Sequence, residues 1–161
     1  MTPDRYPPHL IASLEAVWGE GFLAPGGAEE VARVLDGHDL SGKSVLDIGC
    51  GAGGIDVALV ANHGAGYVTG IDQEDSVLTR AREVVLAHGL QHRIGLAKVA
   101  PGPLTFPSGS FDVVFSRDAI LYLPDKIALM AEIARVLKQG GWFLASDWLT
   151  RTDEVSPQMT A

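Results

Sequence analysis

The sequence predicts an α/β fold, a doubly wound parallel sheet with helices on both faces. Three observations predict it. Short apolar runs alternate with longer amphipathic ones along the chain, and strands separated by helix-length segments pair in parallel through crossovers. The run Val45-Leu46-Asp47-Ile48 breaks into Gly49-Cys50-Gly51-Ala52-Gly53-Gly54, which reads as a buried strand turning through glycines into a helix. A second acid, Asp72, closes the next apolar run, Tyr67 to Ile71. At 161 residues the chain is about one domain and long enough to bury a full core.

The elements follow in order. Leu10, Ile11, Leu14, Val17 and Trp18 share one face of a first helix. Gly19 to Gly27 holds too many glycines for regular structure, and Ala28 to Leu35 is a short helix ending near Gly37. After the first strand and its turn, a helix runs from Ile55 to His63 and closes at Gly64. Asp75 is read as the cap of the next helix, which reaches His88 and stops at Gly89. Arg93 to Val99 is a third strand. Phe111 to Ser116 is a fourth, entered through Ser108-Gly109-Ser110. A helix over Lys126 to Lys138 stops at Gly140-Gly141, and Trp142 to Ser146 is the fifth strand.

Composition narrows the function. The chain is 47% hydrophobic, which argues against disorder. A formal charge of −8 disfavours nucleic acid, which needs a basic face; Arg80-Arg82 and Arg135-Lys138 read as solvated helix faces. The single cysteine, Cys50, excludes an intrachain disulfide and fills a position in the glycine turn that needs a small residue. His9, His38, His63, His88 and His92 have no zinc-like spacing, so no metal site is expected. With no apolar leader and no apolar run of membrane-spanning length, no membrane association and a cytoplasmic location are expected.

The glycine turn points to an adenosine-containing cofactor, because a nucleoside lies almost on such a backbone and a β-carbon would collide with it. Gly49, Gly51 and Gly54 fit the dinucleotide spacing, while Asp47 with Gly49, Gly51 and Gly53 fits the loop that holds S-adenosylmethionine (SAM). An acid at the strand tip repels a pyrophosphate and suits the ammonium and sulfonium of SAM. A nicotinamide-binding oxidoreductase is the weaker reading, since no catalytic domain follows.

Phe111 to Lys126, with its Ser116-Arg117-Asp118-Ala119-Ile120-Leu121 run, then Leu137-Lys138-Gln139-Gly140-Gly141-Trp142, follow the glycine turn in the order of a class I SAM-dependent methyltransferase. With Trp18-Gly19-Glu20-Gly21-Phe22 and Gly26-Gly27 ahead of the core, the chain most resembles the phosphoethanolamine N-methyltransferase group and its bacterial relatives, over residues 14 to 150. The resemblance implies a Rossmann-like fold with an N-terminal helical lid over 1–37, a SAM-binding core over 38–150 and a tail over 151–161. It also implies that Asp47, Gly49, Cys50 and Gly51 line the methionyl and ribose end of SAM, and that Asp72 accepts from both ribose hydroxyls. Gln73 and position Ala100 fall at the adenine edge, Gly26 and Gly27 in the lid, and Arg117 at the cofactor cleft. Asp118 and Tyr122 are the catalytic candidates. Trp18, Phe22 and Trp148 are aromatic candidates for holding a methylated cation.

Three departures accompany the resemblance. The related enzymes pair the acid of this run with a histidine where this chain has Tyr122, and a phenol is a far weaker base at pH 7 than an imidazole. They carry a catalytic tyrosine where this chain has Leu14, and an acid where it has Ala100. The superfamily fold also adds two strands after the fifth, whereas only Leu149 to Ala161 follow here, so a sheet lacking the last two strands is expected. Its uncovered edge would favour self-association. The expected function is SAM-dependent methyl transfer to a small-molecule acceptor, an amine being one candidate. The alternative is a catalytically incomplete SAM-binding domain or fragment acting as a binding module.

Overall fold

The computed structural model describes residues 5–148, so the predicted tail at 151–161 lies outside the described residues. Helices α1 (Pro8–Trp18) and α2 (Gly27–Val34) precede β1 (Ser44–Ile48), α3 (Gly54–Ala61), β2 (Tyr67–Asp72), α4 (Asp75–Ala87), β3 (Ile94–Lys98) and β4 (Phe111–Arg117). A 3-10 turn over Ile120–Tyr122, α5 (Lys126–Val136) and β5 (Leu137–Ser146) complete the order. All five strands pair in parallel in the order β3-β2-β1-β4-β5. The order reverses between β1 and β4, and the carboxyl ends of strands at such a reversal are where an open α/β sheet forms its crevice.

The central strand β1 is buried on both faces, which accounts for its continuous apolar reading. Its side chains alternate between two cores. Val45 joins Val68, Val113 and Phe115 beneath α2, α3 and α4, while Leu46 and Ile48 join Ile71 and Val114 beneath α5. The segment from Val99 to Phe106 completes the second face. Arg135 fastens it, donating from Nη2 to Leu104 O (2.9 Å) and from Nη1 to Phe106 O (2.8 Å) while paired with Glu132. Glu132 is held down to about 2, chiefly by that guanidinium.

Several expected boundaries are corrected. Helix α5 ends at Val136, not Lys138, because Leu137 already pairs with Phe111 and opens β5. The next paired residue is Trp142 opposite Val113, so Lys138 to Gly141 bulge out, with Gly140 at φ 78°. Asp75 is the first residue of α4 and makes no capping bond; its carboxylate pairs with Lys98. The basic residues read as solvated are engaged: Lys138 pairs with Asp112 (3.0 Å), and Arg80 reaches Glu15 (3.0 Å), tying α4 to α1. Among the described residues β3 and β5 are the two sheet edges, and Ile127 (86%) and Trp148 (61%) are strongly exposed. No helix of the described residues is long and apolar enough to cross a membrane.

Candidate active site

A cavity of about 360 Å³ opens at the carboxyl ends of the central strands, a volume within the range of small-ligand sites. Its floor is the turn Ile48 to Ala52, and one side is Ile71, Asp72, Gln73, Glu74 and Val77. Opposite stand Arg117, Asp118, Ala119 and Tyr122. Arg5, Tyr6 and Gly21 to Pro25 close it from the N-terminal side, with Trp148 at the rim. Of the residues read from sequence, Gly49, Cys50, Gly51, Asp72, Gln73, Arg117, Asp118, Tyr122, Phe22 and Trp148 share this wall.

The turn is anchored before any ligand is considered. Gly49 N and Cys50 N donate to Ile71 O at 2.8 and 3.1 Å. Asp72 Oδ2 accepts from Gly51 N (3.0 Å), while Oδ1 accepts from Gln73 N (2.7 Å) and Glu74 N (3.0 Å). Asp72 thereby joins the glycine turn to the start of α4 and still faces the cavity.

The glycines are required by neighbours of the protein itself. A Cβ on Gly49 would lie 2.2 Å from Ala119 Cβ, and one on Gly53 would lie 3.1 Å from Ala81. One on Gly54 would lie 2.7 Å from the Gly21 carbonyl carbon. That last approach docks the N-terminal segment: Gly54 N donates to Gly21 O (3.0 Å), and Gly21 N donates to Glu15 Oε1 (2.7 Å).

On the opposite side Arg117 is buried. It donates from Nη1 to Gly27 O (3.2 Å) and sets Nε 3.5 Å from Asp118 Oδ2. It therefore bridges β4 to the N-terminal segment. Asp118 has φ 53°, a left-handed backbone in a non-glycine residue, of the strained kind that gathers at functional sites. Burial raises the Asp118 carboxyl above the ordinary range, opposed by Arg117 and supported by Asp147 and Glu30. Tyr6 adds a half-buried phenol raised chiefly by burial, and the Arg5 guanidinium lies 4.5 Å from the Tyr122 ring centroid. Arg5, Tyr6 and Glu74 were not found from sequence. Tyr6 stands eight positions before Leu14, so this N-terminal segment does bring a phenol to the cavity.

Asp47, Ala100, Gly26, Gly27 and Trp18 stand off the wall. Gly26 and Gly27 meet Arg117 instead. Asp47 points away because strand alternation puts it on the α3 side with Val45, opposite the cavity-lining Ile48. There it is fully buried, as is Asp56 of α3, and none of their four side-chain oxygens has a hydrogen-bond partner among the described residues. Burial, then the Asp72 charge, pushes Asp47 up to about 8. Burial, then Asp47, raises Asp56 well above the carboxylate range. Burial also raises the Cys50 thiol.

A folded carboxyl raised above its unfolded value costs nothing at pH below the unfolded range and progressively more as pH climbs above it. Asp56→Asn is therefore expected to raise Tm by several degrees near pH 8 and to change it little near pH 4. Equal shifts at both pH values would show that the buried acid carries no such penalty.

Residues 46–145 match the family described as "Methyltransferase domain". Phosphoethanolamine N-methyltransferase of Triticum aestivum is 35% identical over 152 residues, covering 94% of this chain and 30% of that protein. The solved structure of Haemonchus contortus phosphoethanolamine N-methyltransferase 2 in complex with S-adenosyl-L-methionine aligns with a TM-score of 0.90 at 30% identity. That alignment covers 98% of this chain and 37% of the other. The same Haemonchus contortus enzyme in complex with phosphomonomethylethanolamine and S-adenosylhomocysteine aligns with a TM-score of 0.84 at 31% identity, over 93% and 35% of the two chains. The chain spans about a third of the length of these relatives.

Proposed function

The chain belongs to the methyltransferase-domain family, with its class I, Rossmann-like fold, and on that premise we propose that it transfers a methyl group from SAM to a small-molecule acceptor of the amine class. The observation that carries this reading is one cavity with Asp72 and the glycine turn on one side and Asp118, Tyr6 and Tyr122 on the other. The residues fit the cofactor. Asp72 offers a fixed carboxylate to a ribose diol, and backbone of Gly49 to Gly51 would hold the methionyl end. Ile71, Val99 and Gln73 offer an apolar slot with a polar edge for adenine.

When bound, SAM supplies an electrophilic methyl group on a sulfonium. The chain's own contribution is alignment, exclusion of water and handling of the acceptor's proton. Asp118 is the group suited to take that proton: its raised carboxyl lies closer to neutral pH than an ordinary aspartate, and Arg117 fixes its orientation. Tyr6, a half-buried phenol that is neutral at pH 7 like any tyrosine, can hydrogen-bond the acceptor. Arg5, Tyr122 and Trp148 form the outer wall against which an acceptor would rest. A binding module without turnover is the less favoured reading, because the cavity retains both an acid and a phenol.

Methyl transfer from labelled SAM to phosphoethanolamine, to phosphomonomethylethanolamine and to a pool of cellular amines tests the reading. Label in an amine product supports it; intact SAM binding with no transfer to any acceptor would sink it. Asp118→Asn keeps the left-handed backbone tolerable but removes the proton acceptor. A fall in kcat of about 10²–10⁴-fold is expected, with the wild-type rate rising with pH as Asp118 ionises.

A further inference from the structure

Asp47 and Asp56 have no part in the proposed reaction, yet they sit in the centre of the domain. Asp47 on β1 has Gly70 as its β2 neighbour. Asp56 reaches the same position from the first turn of α3: a Cβ on Gly70 would lie 2.7 Å from its Oδ1 and 2.9 Å from its Oδ2. Two carboxyls thus converge where the sheet carries no side chain. The charged group acting on both is Asp72 from the end of β2, an acid, and the two carboxyls in turn raise the Cys50 thiol of the glycine turn. Burial outweighs the one local backbone contact that favours the Asp56 anion, and with no side-chain partner or cation acting on them among the described residues, the buried carboxyls are held neutral.

Ile48 and Gly49, which directly follow Asp47, line the cavity floor. A cation bound above that floor acts on the pair through a low-dielectric interior, where charges interact far more strongly than in water. We propose that Asp47 and Asp56 form a proton-linked charge sensor beneath the glycine turn, releasing one proton to solvent when cationic SAM binds and remaining neutral around S-adenosylhomocysteine, which lacks the sulfonium. This rests on the cofactor assigned above. The pair then favours the methyl donor over the spent product at one site. Affinity for SAM rises with pH, by up to about tenfold per unit for one linked proton, and affinity for the product does so less.

Calorimetric titration of the whole chain with each ligand, in buffers of unequal protonation heat, reads the proton count directly. The expected result is a release approaching one proton with SAM in excess of that with S-adenosylhomocysteine, lost in Asp47→Asn and diminished in Asp56→Asn. Comparison with these variants separates the protein's proton from any on the ligand's own amino group, and thermal melts establish that each variant is folded. Equal release with both ligands, or release unchanged in both variants, overturns the sensor and leaves the cofactor assignment standing. Failure of the folded wild-type chain to bind either ligand overturns the cofactor assignment and the sensor with it.

Discussion

Gly49→Ala is expected to destabilise the domain by roughly 2–5 kcal/mol, from about 1–3 for overpacking and about 1–2 for a left-handed residue, and to abolish binding of S-adenosylhomocysteine. Gly49 has φ 82°, and its missing Cβ would fall 2.2 Å from the Cβ of Ala119. Neither partner can yield cheaply. Gly49 N is bonded to the end of β2, and Ala119 follows Asp118, whose N donates to Ser146 O (3.0 Å). Relief of the clash must push the turn away from β2 or the Asp118 segment away from β4, and both walls of the cavity are lost by one route or the other. Denaturant unfolding and calorimetric titration read the two effects separately. A variant with unaltered stability would show that Ala119 can move aside, and that Gly49 is kept for the ligand alone.

That distinction marks the limit of the sequence reading at its most informative motif. The turn itself was legible, because a glycine run after a buried strand has few other uses. A second reason for its glycines was not. Sequence reading assigned them to a ligand, and the structure adds that Gly49, Gly53 and Gly54 are also demanded by Ala119, Ala81 and Gly21, all remote in the chain. The same locality explains the error at β5. Leu137 to Gly141 continues a helical pattern up to a glycine stop, but pairing with Phe111, some 26 positions earlier, draws Leu137 into the sheet. Strand and helix order, by contrast, is written in local periodicity and survived intact.

The site divides in the same way. Asp72, Asp118 and Tyr122 follow strand ends or the turn after β4, so topology delivers them to the cavity and their motifs could be placed without coordinates. Asp47 belongs to the same motif but sits one residue out of phase with the cavity, a distinction that depends on which face α3 covers. Arg5 and Tyr6 carry no periodic signal. They reach the site because Arg80, Glu15 and Gly21 dock the N-terminal segment onto α4 and the glycine turn, contacts that no local pattern announces. Asp56 was likewise unmarked, since an acid in the first turn of a helix ordinarily reads as a solvated response to the helix dipole.

Asp72→Ala should weaken S-adenosylhomocysteine binding by roughly 1.5–3 kcal/mol, about 10–150-fold, with the fold retained. Two losses contribute. The first is the carboxylate that would accept from a ribose diol. The second is internal: Gly51 N, Gln73 N and Glu74 N all donate to Asp72, so its removal frees the turn that forms the cavity floor. Asp72→Asn separates them. Its carbonyl oxygen can keep the bonds to Gln73 and Glu74, while its amide confronts Gly51 N as a second donor. If the diol contact dominates, Asn should recover part of the affinity through its remaining acceptor. If organisation of the turn dominates, Asn should bind as poorly as Ala, and exchange of the Gly51 amide should quicken in both variants. Wild-type affinity in Asp72→Ala would move the ribose away from β2 altogether, and with it the orientation that sets Asp118 and Tyr6 opposite the cofactor.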